Sequence, residues 1–347
     1  PPAILPVAQR LKKIRAVFST DAPDENILCK FCRLRKYGPF IWSFPYIKRE
    51  KADIVHTHGL WTSLSFSAIL WQYLTKGKII ISPHGMLDKW ALNHSRWKKN
   101  LALFFFEREH AARATVIHAL TVAEARSIRQ QGISSKICVI PNGVDIPEPR
   151  DLPPPSWMDC PTLLFLGRLH EKKGISALIE AFENASKHLP GWQLAIAGWD
   201  DGENRFREEA AQCGAPIVFP GPLYGDEKAA AYANASAFIL PSFSEGLPMA
   251  VLEAWSFGLP TLISAECNLN DGVRAGVAVE INTEPSVMGA QIMEVLNDKD
   301  LLQTMGARAR NFVREQYSWD SVAQEFDHLY RYAVGLAPEP KSLWKER

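Results

Sequence analysis

Two glutamates eight positions apart, Glu245 and Glu253, lie in the run Pro-Ser-Phe-Ser-Glu-Gly-Leu-Pro-Met-Ala-Val-Leu-Glu-Ala-Trp-Ser-Phe-Gly-Leu-Pro over 241–260. The front half reads as a loop after an apolar strand, Ala237 to Leu240. Pro248 suits the first position of a helix, where its missing N–H is no loss. Gly258 is a natural C-terminal stop, with Pro260 just beyond. Glu245 therefore falls in the loop, beside the N–H groups of Gly246 and Leu247 at a helix start, an arrangement that attracts anions. Glu253 falls inside the helix, where a buried carboxylate can accept two bonds from a ribose diol. A solvated helix face supplies two glutamates at this spacing freely. The Gly, the two Pro and the preceding strand weigh against that plain reading.

A second group of charges stands in Leu-Phe-Leu-Gly-Arg-Leu-His-Glu-Lys-Lys-Gly, residues 164–174. Arg168 and Lys173 bracket a turn at the carboxyl edge of a strand, and Lys172 points away. Two fixed cations there can neutralise a diphosphate as it departs. The competing reading is a pair of solvated loop cations, which the Gly spacing makes the weaker one. Pro220-Gly221-Pro222-Leu223 reads as a turn after a later strand. Three histidines come next. His56 and His58 are expected to end one strand, followed by Gly59, and His84 to end the following one in Ser82-Pro83-His84-Gly85-Met86-Leu87. Gly85 leaves room for a ligand to approach. For each histidine the alternative is an ordinary hydrogen-bonded polar residue. Zinc is a further alternative, but it wants a spaced third ligand and a supporting carboxylate, for which only Asp53 and Asp88 are near. No metal is assigned. Asp298-Lys299-Asp300 reads as a helix start rather than a metal site.

Glu-Gly-Leu-Pro followed by Leu-Glu-Ala and Gly-Leu-Pro resembles the Glu-x7-Glu signature of retaining glycosyltransferase family 4 (glycosyl transferases group 1), whose fold is GT-B. The resemblance implies an α/β chain with two Rossmann-like doubly wound domains facing across a cleft. It implies a UDP- or GDP-sugar as donor substrate, a glycan or lipid-linked acceptor, and no cofactor. Glu253 would hold the ribose and Glu245 would sit by the diphosphate and sugar. Arg168, Lys173 and the N–H groups of Gly246 and Leu247 would hold the diphosphate, and Pro222 and Leu223 would pass the base. His84 would line the face where sugar and acceptor meet, with His56, His58 and Gly59 on the acceptor side. Retention without an enzymatic nucleophile implies front-face attack assisted by the leaving phosphate. The family's first strand and Gly-rich loop are the part of the pattern not matched, and residues are expected to be missing between Lys13 and Ile14. Two other readings stay open: a nucleotide-sugar epimerase of the same fold, and a non-catalytic membrane-associated partner.

The elements that must position these residues alternate. After a helix over 3–12 and a strand over 14–19, short β-branched runs at 52–56, 78–82, 115–120 and 137–140 are separated by helical patterns at 60–75, 95–113 and 121–131. A Pro-rich segment from Pro141 to Pro155 reads as a linker, with Pro-Asn-Gly-Val-Asp at 141–145 resembling the family's hinge. A second alternation has strands at 162–166, 193–197, 216–219, 237–240, 261–264 and 277–280, with helices between them. Such alternation argues for parallel sheets covered by helices. The expected division is 1–145 as the acceptor-side domain, 146–318 as the nucleotide-sugar domain, and 319–347 as a helix and tail crossing back to the first.

Composition agrees with a two-domain enzyme: 347 residues, 47% hydrophobic and 22% charged. Six cysteines in a chain this long make no disulfide framework, and Cys29-x-x-Cys32 lacks a second zinc-spaced pair. No run is long and apolar enough to span a bilayer and no secretory signal is evident, so a cytoplasmic location is expected. The net charge of +1 hides a division, since residues 1–145 carry 22 Lys/Arg against 10 Asp/Glu. That excess suggests an anionic partner for the first half. Lys89, Trp90, Arg96, Trp97, Lys98 and Lys99 suit the interface of an anionic membrane, which would make the chain peripheral on the inner face of the plasma membrane. Phe104, Phe105 and Phe106 suit packing on the sheet. No nucleic-acid-binding module is present, so no nucleic acid is expected.

Overall fold

The computed structural model describes residues 16–19, 52–60, 63–87, 107–148, 150–200 and 204–345. The helix expected over 3–12, Cys29 and Cys32, Asp88, and the basic aromatic run from Lys89 to Phe106 lie outside these residues. The chain divides into unit 1, residues 1–143 with 319–347, and unit 2, residues 144–318.

Unit 1 holds five parallel strands: β1 (Ala16–Ser19), β2 (Ile54–His58), β3 (Lys78–Ser82), β4 (Val116–Ala119) and β5 (Ile137–Val139), side by side in that order. Parallel neighbours need crossovers, and right-handed crossovers between strands laid down in order all fall on one face. There α1 (Ser63–Thr75), α2 (Arg108–Arg113) and α3 (Val122–Gln130) meet the sheet. Val55, Ile79, Ile81, Ile117 and Ile137 pack on that side with Ala68, Trp71, Ala111, Ala125 and Ile128. The strand period of two sends Ile54, Ile80, Val116 and Cys138 to the other face. The last helix of the chain, Trp319–Ala333, covers it with Val322, Ala323, Leu329, Tyr330 and Ala333. The tail then protects the sheet edge: Trp344 N–H donates to Ile137 O at 2.8 Å and Val139 N–H to Ser342 O at 2.8 Å.

Unit 2 holds six parallel strands, β6 (Thr162–Leu166), β7 (Gln193–Ala197), β8 (Ile217–Gly221), β9 (Ala237–Leu240), β10 (Thr261–Ser264) and β11 (Ala278–Ile281). Their spatial order is β11-β10-β9-β6-β7-β8, so strand order reverses between β6 and β9. Ligands of doubly wound sheets bind outside the carboxyl ends at such a switch point. Among the described strands of unit 1 there is no such reversal. The helices of unit 2 are α4 (Ile175–Ser186), α5 (Arg205–Gln212), α6 (Gly225–Asn234), α7 (Met249–Ser256), α8 (Asn270–Arg274), α9 (Pro285–Asn297) and α10 (Lys299–Tyr317), which makes Trp319–Ala333 α11.

Glycine brings the two switch-point loops together. Gly174 has φ +70°, and a Cβ there would lie 2.2 Å from Pro241 O. No larger residue allows that approach without a shift of backbone. No helix among the described residues is long and apolar enough to cross a membrane.

Candidate functional site

The loops after β6 and β9 meet at the switch point of unit 2. Gly167 and Arg168 follow β6 directly, and a 3-10 turn over Glu171–Lys173 ends at Gly174. Phe243 N–H donates to Lys172 O at 2.7 Å, tying the second loop to the first. This contact places Lys173 against Glu245. Lys173 Nζ donates to Glu245 Oε1, and Ser242 Oγ donates to the same oxygen at 2.6 Å. The two side chains are 15% and 8% exposed. Lys173 is therefore an ion-paired cation rather than a lone one. Arg168 is exposed on the same turn, with no ion-pair partner among the described residues. Asn268 Nδ2 donates to Glu245 O at 2.8 Å and Glu245 N–H to Glu266 O at 3.2 Å, which holds the loop that leads into α7.

Pro248 is the N-cap of α7, with φ −77° and ψ 100°, and Met249 is the first helical residue, so the helix starts one residue later than its proline suggests. The extended ψ of Pro248 keeps it outside the helix. Gly258, φ +76°, closes the helix as expected. Gly246 is exposed and Leu247 half-buried ahead of that cap.

Glu253 is not deeply buried: its side chain is 27% exposed. Lys228 Nζ donates to Oε1 at 2.8 Å and the Tyr232 hydroxyl to Oε2 at 3.0 Å. Burial, followed by the neighbouring Glu253 charge, pushes the Tyr232 hydroxyl well above its usual range, so it stays a donor. Sequence reasoning passed over both partners. Their signal was present, since Lys228 and Tyr232 stand at i and i+4 and share one face of α6. The segment Pro220–Leu223 is only half a turn, because β8 runs to Gly221. Gly198 N–H donates to Gly221 O at 2.9 Å, Pro222 follows the strand, and the Leu223 side chain is buried in the core.

In unit 1 the histidines form two linked groups on the face that α11 covers. His56 lies in the middle of β2 and is buried, not at a strand end. His118, from β4, was not anticipated, since it stands inside the apolar run Val116-Ile117-His118-Ala119. His118 Nε2 is 2.7 Å from the Ile140 carbonyl, which can only accept, so this nitrogen carries the proton. Nδ1 of His118 must then accept from Ser82 Oγ, at 2.6 Å. Ser82 Oγ in turn accepts from His56 Nε2 at 2.7 Å, and His56 Nδ1 accepts from the Tyr330 hydroxyl at 2.8 Å. One carbonyl thus orients a run of four side chains. Burial, opposed in part by the Ile140 bond, lowers the His118 pKa to about 4. Burial, then the adjoining imidazoles, holds His56 well below its ordinary value too.

His58 ends β2 and His84 stands just beyond β3, their Nδ1 and Nε2 atoms 2.8 Å apart. Their rings lie edge to edge through this contact, 16° from parallel with centroids 5.1 Å apart, and the His58 ring stacks on His56 at 4.4 Å. Gly59, φ +79°, donates its N–H to Ser82 O at 2.8 Å and turns the chain beside Met86. No group of three or more His, Cys, Asp or Glu among the described residues is placed to hold a metal ion.

Two parallel α/β units, one with its charged side chains gathered at a topological switch point, are the architecture of the GT-B fold. The chain belongs to the family 4, group 1 glycosyltransferases: the family described as "Glycosyl transferases group 1" matches residues 154–312 and "Glycosyltransferase Family 4" matches residues 17–148. Among similar proteins is a GDP-mannose-dependent alpha-(1-6)-phosphatidylinositol monomannoside mannosyltransferase of Mycobacterium tuberculosis. It is 29% identical over 183 residues, 49% of this chain and 47% of that protein. A phosphatidyl-myo-inositol mannosyltransferase of Mycolicibacterium smegmatis is 27% identical over 70% of this chain and 64% of its own length. The chain spans about half the length of the first of these relatives. Among solved structures, HepE of Anabaena in complex with UDP superposes with TM-score 0.71 at 15% identity, covering 95% of both chains. That likeness is one of fold.

Proposed function

We propose that this protein is a retaining glycosyltransferase that moves a sugar from a UDP- or GDP-sugar to an acceptor hydroxyl, in the synthesis of a polysaccharide, lipopolysaccharide or glycolipid. The observation that carries the reading is the cluster at the unit 2 switch point: Arg168, Lys173, Glu245 and the start of α7 within two loops tied to each other.

Each group has capacity for the role. A carboxylate offers about four lone-pair sites. Lys228 and Tyr232 use one on each oxygen of Glu253, which leaves one on each for the two hydroxyls of a ribose. Glu245 receives both Lys173 and Ser242 on Oε1, so Oε2 has acceptor capacity for a sugar hydroxyl. An arriving diphosphate competes with Glu245 for Lys173, and Arg168 adds a second cation. Their combined field favours the leaving diphosphate most where its charge is greatest, late in the reaction. Pro222 and Leu223 offer backbone groups to the base at the end of β8. In unit 1, His84 is the residue assigned to the reacting sugar, with His58 and Gly59 beside it. The name of the Mycobacterium tuberculosis relative gives GDP-mannose as its donor, and both mycobacterial names give a phosphatidylinositol acceptor; a peripheral position on an anionic membrane through the basic first half agrees with an acceptor of that kind.

The test is incubation with radiolabelled UDP-glucose, UDP-N-acetylglucosamine and GDP-mannose, with slow donor hydrolysis as the readout. Release of free sugar from one of them is expected. Absence of both release and nucleotide binding would refute the proposal, and interconversion of the nucleotide-sugar would point to an epimerase.

A further inference from the structure

We infer that His58 sets the tautomer of His84, so that the exposed His84 ring presents Nδ1–H outward as a hydrogen-bond donor to an oxygen of the transferred sugar. Only one proton fits between His58 Nδ1 and His84 Nε2, which lie 2.8 Å apart. Its owner is decided by the far side of His58. His58 Nε2 is buried and has no hydrogen-bond partner among the described residues. A proton there would be an orphaned buried N–H, which is rarer in folded proteins than an under-used acceptor. The His58 proton therefore sits on Nδ1 and points at His84 Nε2. A neutral His84 then carries its own proton on Nδ1.

The surroundings keep both rings neutral and in place. His58 is stacked on His56 and joined edge to edge with His84, and desolvation holds all three below the ordinary histidine range. The backbone of His84 is fixed as well. Its φ of +53° is an uncommon conformation for a residue with a side chain, and such positions persist where the surroundings over-determine them. The constraint is Glu124, a buried carboxylate on α3. It accepts from Gly85 N–H at 2.6 Å on one oxygen and from Leu120 N–H at 2.7 Å on the other. Glu124 thus holds the loop and His58 holds the ring. Both are positioning residues, and His84 acts by donating rather than as a general base.

The part of this inference that concerns turnover rests on the proposed activity, while the tautomer does not. Protein labelled with 15N-histidine, observed by two-bond proton–nitrogen correlation at pH 7.5, reads the tautomer directly. The expected pattern for His84 is a protonated Nδ1 and a bare Nε2; the reverse pattern overturns the inference. His58→Phe should shift His84 toward a mixture of tautomers. It should also lower kcat for donor hydrolysis about tenfold, with the donor KM unchanged. His58→Asn, which keeps an N–H donor near the place of Nδ1, should recover most of that loss. Full turnover in His58→Phe despite a shifted tautomer overturns the positioning role. If the wild-type protein releases sugar from none of the three donors, the proposed activity fails, and the wild-type tautomer still decides this inference. The wild-type spectrum also decides it should His58→Phe fail to fold.

Discussion

Acid should destabilise unit 1 through His118 before its carboxylates titrate. In the folded chain His118 is neutral, with a pKa of about 4 against an ordinary 6.5, because burial disfavours its charged form, an effect that the bond to the Ile140 carbonyl opposes only in part. Unfolded, the same imidazole takes up a proton near pH 6.5. A group whose folded pKa is depressed contributes its full share of stability above the unfolded value and loses it as pH falls toward the folded value. The window here runs from about pH 6.5 down to about pH 4. A lowering from 6.5 to about 4 corresponds to roughly 3 kcal/mol for this one side chain. His56 and His58 are lowered as well and add in the same direction. Against a total of about 5–15 kcal/mol for a typical domain, that is a large share. Urea unfolding at pH 7.5, 6.5, 5.5 and 4.5 measures it. His118→Gln provides the control, because a Gln amide can still donate toward the Ile140 carbonyl but does not titrate. The wild-type midpoint should fall steeply below pH 6.5, and the variant should lose part of that slope. A wild-type midpoint flat from pH 7.5 to 4.5, or a His118 titrating near 6.5 by NMR, would refute the reasoning.

Other outcomes follow from the unit 2 cluster and from charge. Glu253→Gln should weaken nucleotide binding by about 1.5–3 kcal/mol, the worth of a charged hydrogen bond; an unchanged affinity by calorimetry would rule out the ribose assignment. Lys173→Ala should lower kcat more than it raises KM and should also lower Tm, because it strands Glu245, which is 8% exposed. Arg168→Ala, at an exposed position, should show the kinetic effect with little change in Tm. Gly174→Ala should cost about 1–3 kcal/mol in stability, since the residue has φ +70° and its Cβ would meet Pro241 O; a Tm equal to the wild type would show that the loops can part. Sedimentation with phosphatidylglycerol vesicles should require anionic lipid and weaken with salt, and equal partition onto neutral vesicles would remove the basic half from membrane binding.

Local chemistry was enough to read the alternation of strands and helices, because the patterns are short-range. β-branched runs of four or five residues make buried parallel strands, and Gly258 and the prolines punctuate the helix that follows Glu245. The same locality made Glu245, Glu253, Arg168 and Lys173 visible as charges placed near strand ends and a helix start. What those charges touch was decided by the fold. Lys173 and Glu245 are 72 positions apart in sequence and pair only because β6 and β9 are neighbours in the sheet. Glu253 looked like a buried carboxylate, yet packing of α6 beside α7 gives it Lys228 and Tyr232 at a partly exposed position. The histidines show the limit most clearly. Alternation along β2 sends His56 and His58 to the same face as Ile54, but nothing in residues 52–87 indicates what covers that face. The cover is α11, from the far end of the chain, because crossovers laid in order leave one side of a parallel sheet bare. Tyr330 reaches His56 from 274 positions away, and the Ile140 carbonyl settles the proton positions from His118 onward. A side chain's identity and period are written locally; its protonation and its hydrogen-bond direction belong to the partners that only tertiary packing supplies.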